Sequence, residues 1–569
     1  MGSDLGKAFR RHIPTLTAIT VFSIFINLLM LTGPLFMLQV YDRVLSSRSE
    51  ATLLALFALV AGLFAAMGVL DYVRGRVGAR IGAGLQSDLD ARVFQAGVRA
   101  PAKLAPQAAT ALSDLDAIQR FFSAPVSFAI FDIPWTPIFF AAIFLFHPLL
   151  GWLAVAGGLV LVLITLCNQI LTRKSAGKMH RDANTSTRLA EQIRTQPETV
   201  IGLGMIGAAI RRWQGARGSA LSSSLTFHDR SGGFTSFSKM LRMLVQSAIL
   251  ALGAWLVLQN ELSAGAMIAG SVLLGRALAP VEQLIQGWGM VLRARQGWNS
   301  LGTLLTAVPE SEPVTPLPDP QAKLVVKGVT VMMPGTSKPM LNQVSFAIGP
   351  GQALGVIGIS ASGKSTLARV LTGYLKPNMG EVRLDGATLA QYGPDGLAQH
   401  IGYLPQDVVL FDGTVAENIM RLQPESDPAL AVRAAQAAAA HDVILQLKDG
   451  YDTRLGFGGV TLSGGQRQRV GLARALFGDP AIVILDEASS NLDAEGTQAL
   501  NQTVAALKAA GKAVITIAHR PTAIAECDLV LVLANGAVQA FGPRDEVLRK
   551  ALKNHSEIVA LQKESQHAT

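Results

Sequence analysis

Cysteine is nearly absent from this chain: 569 residues hold two, Cys167 inside an apolar run and Cys527 towards the C-terminus. Two thiols so placed neither pair by spacing nor form a metal-ligand set, which excludes a disulfide framework. Charge is sparse as well, at 16% of residues against roughly 25% in average soluble domains. Half of the residues are hydrophobic and mean hydropathy is +0.36, which places the chain with membrane proteins. Internal repeats are missing. So is a small-residue cleavage site after the first apolar run, which therefore reads as an uncleaved helix rather than a signal peptide. Only Met1–His12 precedes that run and neither cysteine is placed as a nucleophile, so cleavage of leader peptides is not expected.

What is present begins with length, which exceeds one typical domain. Apolar stretches occur near Ile13–Leu38, Thr52–Leu70, Val126–Phe146, Leu149–Leu171, Met243–Leu258 and Leu262–Leu278. Each approaches the roughly 20 residues that a bilayer core requires, the fifth being short. Tight turns join the third to the fourth (His147-Pro148) and the fifth to the sixth (Gln259-Asn260-Glu261). The segments Asp71–Pro125 and Thr172–Arg242 are long, polar and basic, carrying Arg74, Arg76, Arg80, Arg92, Arg173, Lys174, Arg211 and Arg212 among others. The net charge of +9 is compatible with nucleic acid or acidic lipid as a partner. Its distribution favours membrane topology and lipid, because basic loops are retained in the cytoplasm along with Lys7, Arg10 and Arg11. Both loops read as helical extensions, with Thr185–Glu191 and Ile210–Arg217 in stalks. Arg276 lies inside the sixth run, either as a functional intramembrane charge or as a side chain that snorkels to the cytoplasmic end.

Past Leu305 the texture changes. Val308–Pro320 (VPESEPVTPLPDP) has the composition of an extended linker. From Lys323, short β-branched runs such as Leu354–Ile357, Ile482–Leu485 and Ala513–Ile517 alternate with helical stretches, as in an α/β domain. The expected organisation is a membrane domain over 1–307, a linker over 308–322, a nucleotide-binding domain over 323–555 and a polar tail over 556–569.

The strongest motif is Gly358-Ile-Ser-Ala-Ser-Gly363-Lys364-Ser365, a full GxxxxGK[ST] loop between an apolar strand and a helical stretch that starts at Thr366. Glycines let the backbone approach phosphate, and amide N–H groups at the helix start face the anion. Gly358, Ile359, Ser360, Ala361, Ser362, Gly363, Lys364, Ser365 and Thr366 are therefore candidate ATP-binding residues, with Lys364 on the β/γ-phosphates and Ser365 on Mg²⁺. Downstream, four apolar residues end in Asp486 and Glu487. A buried parallel strand would deliver Asp486 to Mg²⁺ and Glu487 to the attacking water. Alone, that run is also an ordinary strand with an acidic turn; the phosphate loop upstream tips the reading to catalysis.

Between them stands Leu462-Ser-Gly-Gly-Gln466, and with it the chain resembles the ABC-family ATPases. The resemblance implies that Ser463, Gly464, Gly465 and Gln466 start a helix aimed at nucleotide held by a second copy. Gln406, in GYLPQD, resembles the Q-loop residue on Mg²⁺. Ser490-Asn-Leu-Asp493 resembles the D-loop, and His519, in TIAHR, the switch histidine. Two positions depart from the pattern. Met333 stands where an aromatic usually stacks on adenine, and a thioether stacks less well. Phe457 stands where exporters usually carry an acidic residue.

In the membrane half, Met37-Leu-Gln-Val-Tyr-Asp-Arg-Val44, Phe131-Asp-Ile-Pro-Trp-Thr-Pro137 and Gly275-Arg-Ala-Leu-Ala-Pro-Val-Glu282 resemble type I secretion exporters of the PrtD kind. The fold implied is an all-α six-helix transmembrane domain of the ABC exporter type fused to an α/β P-loop ABC ATPase domain. The function implied is ATP-driven export of unfolded proteases, lipases and related proteins bearing an uncleaved C-terminal signal. The protein would act as a homodimer in the Gram-negative inner membrane, with a periplasmic adaptor and an outer-membrane channel as partners and no nucleic acid. Rival readings of the same architecture are a lipid or drug exporter and an ATP-gated regulator without cargo. Prolines in Asp132–Pro137 are expected to kink the third span.

Overall fold

The computed structural model describes residues 4–310, 315, 317–332, 338–423, 425–456, 459–518 and 521–549. Met333, Phe457, His519 and the tail 556–569 lie outside them. The chain divides into two compact units, Met1–Glu310 and Ser311–Thr569.

The described residues of the first unit form helices and turns only. Among the described residues six helices are long and apolar enough to cross a membrane: Ile13–Ser47, Glu50–Arg99, Pro125–Phe146, Pro148–Arg194, Ile206–Leu258 and Ala264–Ala307. The sixth starts two residues after the apolar run does, because Ser263 takes the N-cap and accepts from the Ala266 N–H at 3.1 Å. The fifth run is short only as an apolar stretch. Its helix continues unbroken from Ile206, about 80 Å in all at 1.5 Å per residue, and packs against the fourth span. In the second span only 6% of the apolar window is buried within the chain, whereas 56% of the sixth is. The sixth is thus the central helix of the unit, and the second presents its apolar surface outwards.

Two proline-bearing motifs meet inside this unit. The third span breaks at Ile133–Trp135, a 3₁₀ turn between Pro125–Asp132 and Thr136–Phe146. Pro280 interrupts the sixth, where it cannot donate to the carbonyl of Arg276. Thr136 Oγ1 donates to the neighbouring Ala277 carbonyl at 3.3 Å, a side-chain hydrogen bond that supports the disturbed helix.

The first span carries a π-helical turn at Val40–Val44, and the extra residue turns Asp42 onto the start of the sixth span. Its carboxylate accepts from Ser263 Oγ at 2.6 Å and from the Gly265 N–H at 2.8 Å. A Cβ at Gly265 would stand 2.7 Å from that carboxylate. An anion on unsatisfied helix-start amides stabilises the helix. We therefore expect Asp42→Asn and Gly265→Ala each to cost about 1–2 kcal/mol, read as a lowered unfolding temperature in detergent. An unchanged temperature for both would remove this cap from the account.

One buried ionic group ties three spans together. Arg74 Nη1 donates to both Asp132 oxygens at 2.9 and 3.1 Å and to Ser23 Oγ at 3.1 Å. Its Nη2 donates to Asp71 at 2.7 Å, and Asn27 Nδ2 donates to Asp132 at 2.8 Å. Arg74, expected as one more positive charge of a cytoplasmic loop, is instead buried in the helix packing.

The second unit contains strands β1 (Leu324–Met332), β2 (Pro339–Ile348), β3 (Ala353–Gly358), β4 (Met379–Leu384), β5 (Ala387–Thr388), β6 (Ile401–Leu404), β7 (Gly413–Thr414), β8 (Arg454–Leu455), β9 (Ile482–Asp486), β10 (Ala513–Ile517), β11 (Leu529–Ala534) and β12 (Ala537–Pro543). A six-stranded sheet has the order β12-β11-β3-β10-β9-β6, all parallel except the antiparallel edge β12. An antiparallel sheet has the order β2-β1-β4-β5. Continuous apolar runs form the central strands because both faces are covered. Val483 and Leu485 of β9 point into one core cluster, Ile482 and Ile484 into the other.

Candidate functional site

The parallel strands β3, β10, β9 and β6 end at one edge, where Ile517 pairs with Val356 and with Asp486, and Leu404 pairs with Leu485. In open α/β sheets a ligand crevice lies outside these carboxyl ends. Three of the sequence motifs, each at a strand end, are brought together there: Gly358 closes β3, Asp486 closes β9 and Gln406 follows β6, while His519 lies outside the described residues.

The loop after β3 is shaped by what it lacks. A Cβ on Gly358 would collide with the Leu533 carbonyl, and one on Gly363 would stand 2.7 Å from the Met340 carbonyl. Gly363 has φ +101° and Ala361 φ +63°, conformations that let consecutive amides face inward before the helix Lys364–Leu371. Ser362 Oγ is buried without a hydrogen-bond partner among the described residues. Lys364 is buried too, its Nζ donating to the Gly358 and Ile359 carbonyls at 2.8 and 3.0 Å. Burial lowers its pKa, and the carboxylates of Glu487 and Asp486 oppose that shift. Cation and carboxylates thus share one electrostatic field. Lys364→Ala is expected to weaken ATP roughly tenfold to a hundredfold, the worth of a charge-assisted hydrogen bond. Titration with a fluorescent ATP analogue measures it, and unchanged affinity would remove Lys364 from the phosphate site.

Asp486 is buried at the end of β9, and Glu487 follows at φ +52°, a left-handed conformation that costs a non-glycine residue energy. The Glu487 N–H donates to the Ile517 carbonyl at 3.0 Å, which holds that turn. Gln406 Nε2 donates to Glu487 Oε2 at 3.0 Å. The carboxylate of Glu487 is therefore aimed by Gln406 after β6, while its backbone is anchored to β10. Among the described residues no cluster of His, Cys, Asp and Glu could hold a metal by itself. The oxygen donors Ser365, Asp486 and Gln406 do suit a hard cation that arrives with phosphate, beside a loop whose glycines leave room for that anion.

The signature segment starts a helix, Gly464–Leu476. Ser463 is its N-cap: Oγ accepts from the Gln466 N–H at 3.3 Å, and Gln466 Oε1 accepts from the Ser463 N–H at 2.9 Å. This capping box fixes the helix start, while Leu462 anchors it in the core and Ser463 and Gly464 stay exposed. The helix packs chiefly on Pro428–Ala437, on β6 and on Val415–Ile419. Asp493 caps the helix Ala494–Ala509, accepting from the Gly496 N–H at 2.8 Å. One link was missed in the sequence: Asn491 Nδ2 donates to buried Gln468 Oε1 at 3.2 Å and joins the D-loop to the signature helix. Its signal was Gln468, a polar residue at a position where this helix faces the core.

Cys527, the second cysteine, is buried and its thiol pKa is pushed up to about 12 by burial. Only the thiolate alkylates readily, so native protein should not react at Cys527 with iodoacetamide at pH 8. Peptide mapping checks this; rapid modification would contradict the packing around β11.

Comparison with known proteins agrees with this layout. The family model for the ABC transporter matches residues 341–490, and that for the ABC transporter transmembrane region matches residues 16–281. The type I secretion system ATP-binding protein PrsD of Rhizobium meliloti (strain 1021) is 44% identical over 553 residues, 97% of this chain and 95% of that protein. The leukotoxin translocation ATP-binding protein LktB of Mannheimia glucosida is 30% identical over 95% of this chain and 77% of its own length. A solved bacterial Atm1-family ABC exporter with ATP bound superposes with a TM-score of 0.79, covering 97% of this chain and 98% of that one. At 24% identity, that last likeness concerns the fold alone.

Proposed function

Because the chain belongs to the ABC transporter family, and within it to the type I secretion ATP-binding proteins, we propose that it exports unfolded polypeptides as an ATP-driven homodimer. The observation that carries the polypeptide reading is the 44% identity to PrsD, which runs through both halves of the chain. The cargo is of the protease, lipase or RTX-like kind with an uncleaved C-terminal signal. A periplasmic adaptor and an outer-membrane channel continue the route from the inner membrane.

In this mechanism the amides of Gly358–Thr366 and the ammonium of Lys364 bind the phosphates of ATP. Ser365, Asp486 and Gln406 would hold Mg²⁺, which would supply positive charge to offset that of the phosphates. Glu487 orients and polarises the attacking water, and Gln406 holds that carboxylate in place. Ser463, Gly464 and Gly465 present the start of a capped helix to phosphate on the second copy. Each chain thus contributes two half-sites, and closure does work only because ATP binds the closed dimer more tightly than the open one.

A complementation experiment tests the shared site. Chains carrying Lys364→Ala and chains carrying Ser463→Arg are each expected to be inactive alone. Mixed dimers regain hydrolysis, because one of their two sites combines an intact loop with an intact signature. A mixture as inactive as its components would overturn the two-copy site. The cargo reading is tested separately: deletion of the protein should remove particular polypeptides from the medium, and an unchanged set of secreted proteins would count against export.

A further inference from the structure

The sixth span is the most enclosed of the six, yet Arg276 on it is exposed. It stands about 18 Å along the helix from Ala264, near the middle of a hydrocarbon core about 30 Å thick. The nearest charges along the span, about 9 Å further towards its cytoplasmic end, neutralise one another, Arg242 of the fifth span meeting Glu282 of the sixth at 2.5 Å. Arg276 makes no hydrogen bond or ion pair among the described residues. Lipid is the costliest surface for such a charge. Escape to the cytoplasmic end runs against geometry, since side chains on a helix lean towards its N-terminus, here the outer end.

Three further features share its surroundings. Gln283, two turns on along the same face, and Gln286, nearly three turns on, are exposed like Arg276 and carry polar groups from it to the cytoplasmic edge of the core. Gly275 has open space where a Cβ would project. Pro280 deprives the Arg276 carbonyl of its helical donor, and backbone so disturbed is tolerated at membrane depth beside protein or water. A free guanidinium and a weakened helix carbonyl ask for water at this depth, and the two amides continue that demand to the cytoplasmic mouth.

We propose that Arg276, with Gln283 and Gln286, lines the hydrated route through the membrane, and that its guanidinium recognises carboxylate side chains of the polypeptide in transit. The recognition half rests on the reading of the protein as a polypeptide exporter; the hydration half does not. In a homodimer the route holds two such groups, one per copy, and passes acidic chains in preference to neutral ones.

Full-length protein in lipid vesicles tests both halves. In a Cys167→Ser background, Arg276→Cys is treated with a charged, membrane-impermeant methanethiosulfonate, with Leu163→Cys, an exposed apolar position of the fourth span, as the lipid-facing control. A thiol in water ionises and reacts, whereas one in lipid does not, so Arg276→Cys should react about tenfold faster or more; equal rates would overturn the hydrated lining. For recognition, the probes are an unfolded polypeptide rich in Asp and Glu and its Asn/Gln counterpart, read by the concentration that half-maximally stimulates ATP hydrolysis. Wild type and Arg276→Lys should favour the acidic probe by about tenfold, one charge-assisted contact, and Arg276→Gln should not discriminate. A preference that survives in Arg276→Gln, or none in wild type, overturns the recognition. If neither probe stimulates wild type, the exporter reading falls together with the recognition, while the labelling rates still decide the lining.

Discussion

Replacing Glu487 with glutamine leaves ATP bound and cuts its turnover by about 10²–10⁴-fold, the usual worth of a positioned general base. The substitution is nearly isosteric, and the amide oxygen can still accept from Gln406 Nε2. The left-handed backbone at Glu487 and its bond to Ile517 are untouched, so the carboxylate charge is what disappears. Loss of that charge also removes a carboxylate that stabilises protonated Lys364, although Asp486 remains. Nucleotide retention and phosphate release, measured on the same preparation, separate binding from chemistry. Ordinary turnover in Glu487→Gln would end the assignment.

The largest effect on stability is expected at Arg74→Met. The side chains of Arg74 and Asp132 are 7% and 9% exposed, and the guanidinium also lies 5.0 Å from the Phe128 ring centroid. Removing the arginine strands the Asp132 carboxylate with Asn27 as its remaining side-chain donor among the described residues. Breaking a buried pair from one side costs about 3–5 kcal/mol, whereas replacing both partners with apolar groups is often close to neutral. Arg74→Met should therefore unfold much earlier in detergent than wild type, and Arg74→Met with Asp132→Leu should recover most of the loss. If the double variant is no more stable than the single one, the pair is not what holds the first three spans together.

The two substitutions mark where reading the chain succeeds and where it stops. Glu487 stands out as a candidate in the sequence because its context is contiguous: an apolar run, two carboxylates, and a phosphate loop upstream in its own strand–turn–helix setting. What aims Glu487 was not legible. Gln406 lies 81 positions away, and the two meet because β6 neighbours β9, an order that no local pattern encodes. Arg74 shows the converse failure. In sequence it is one basic residue among several in a polar loop, and charge counting assigns it to solvent. Helix packing places it against Asp132 and changes its role from topology to cohesion. Asp42 in the first span likewise reads as part of a recognisable motif, but its contact with Gly265 depends on a π-turn that apolar periodicity does not reveal.

By itself the sequence determined the six apolar spans, the α/β domain behind them and the phosphate-binding, carboxylate and signature motifs. Those depend on hydrophobic runs and on residues adjacent in the chain. Tertiary structure alone decided which distant residues became partners: Gln406 with Glu487, Asn491 with Gln468, Arg74 with Asp132, Thr136 with the Ala277 carbonyl. Partnership across such separations follows from strand order and helix packing, and these are settled only when the whole chain buries its apolar surface at once.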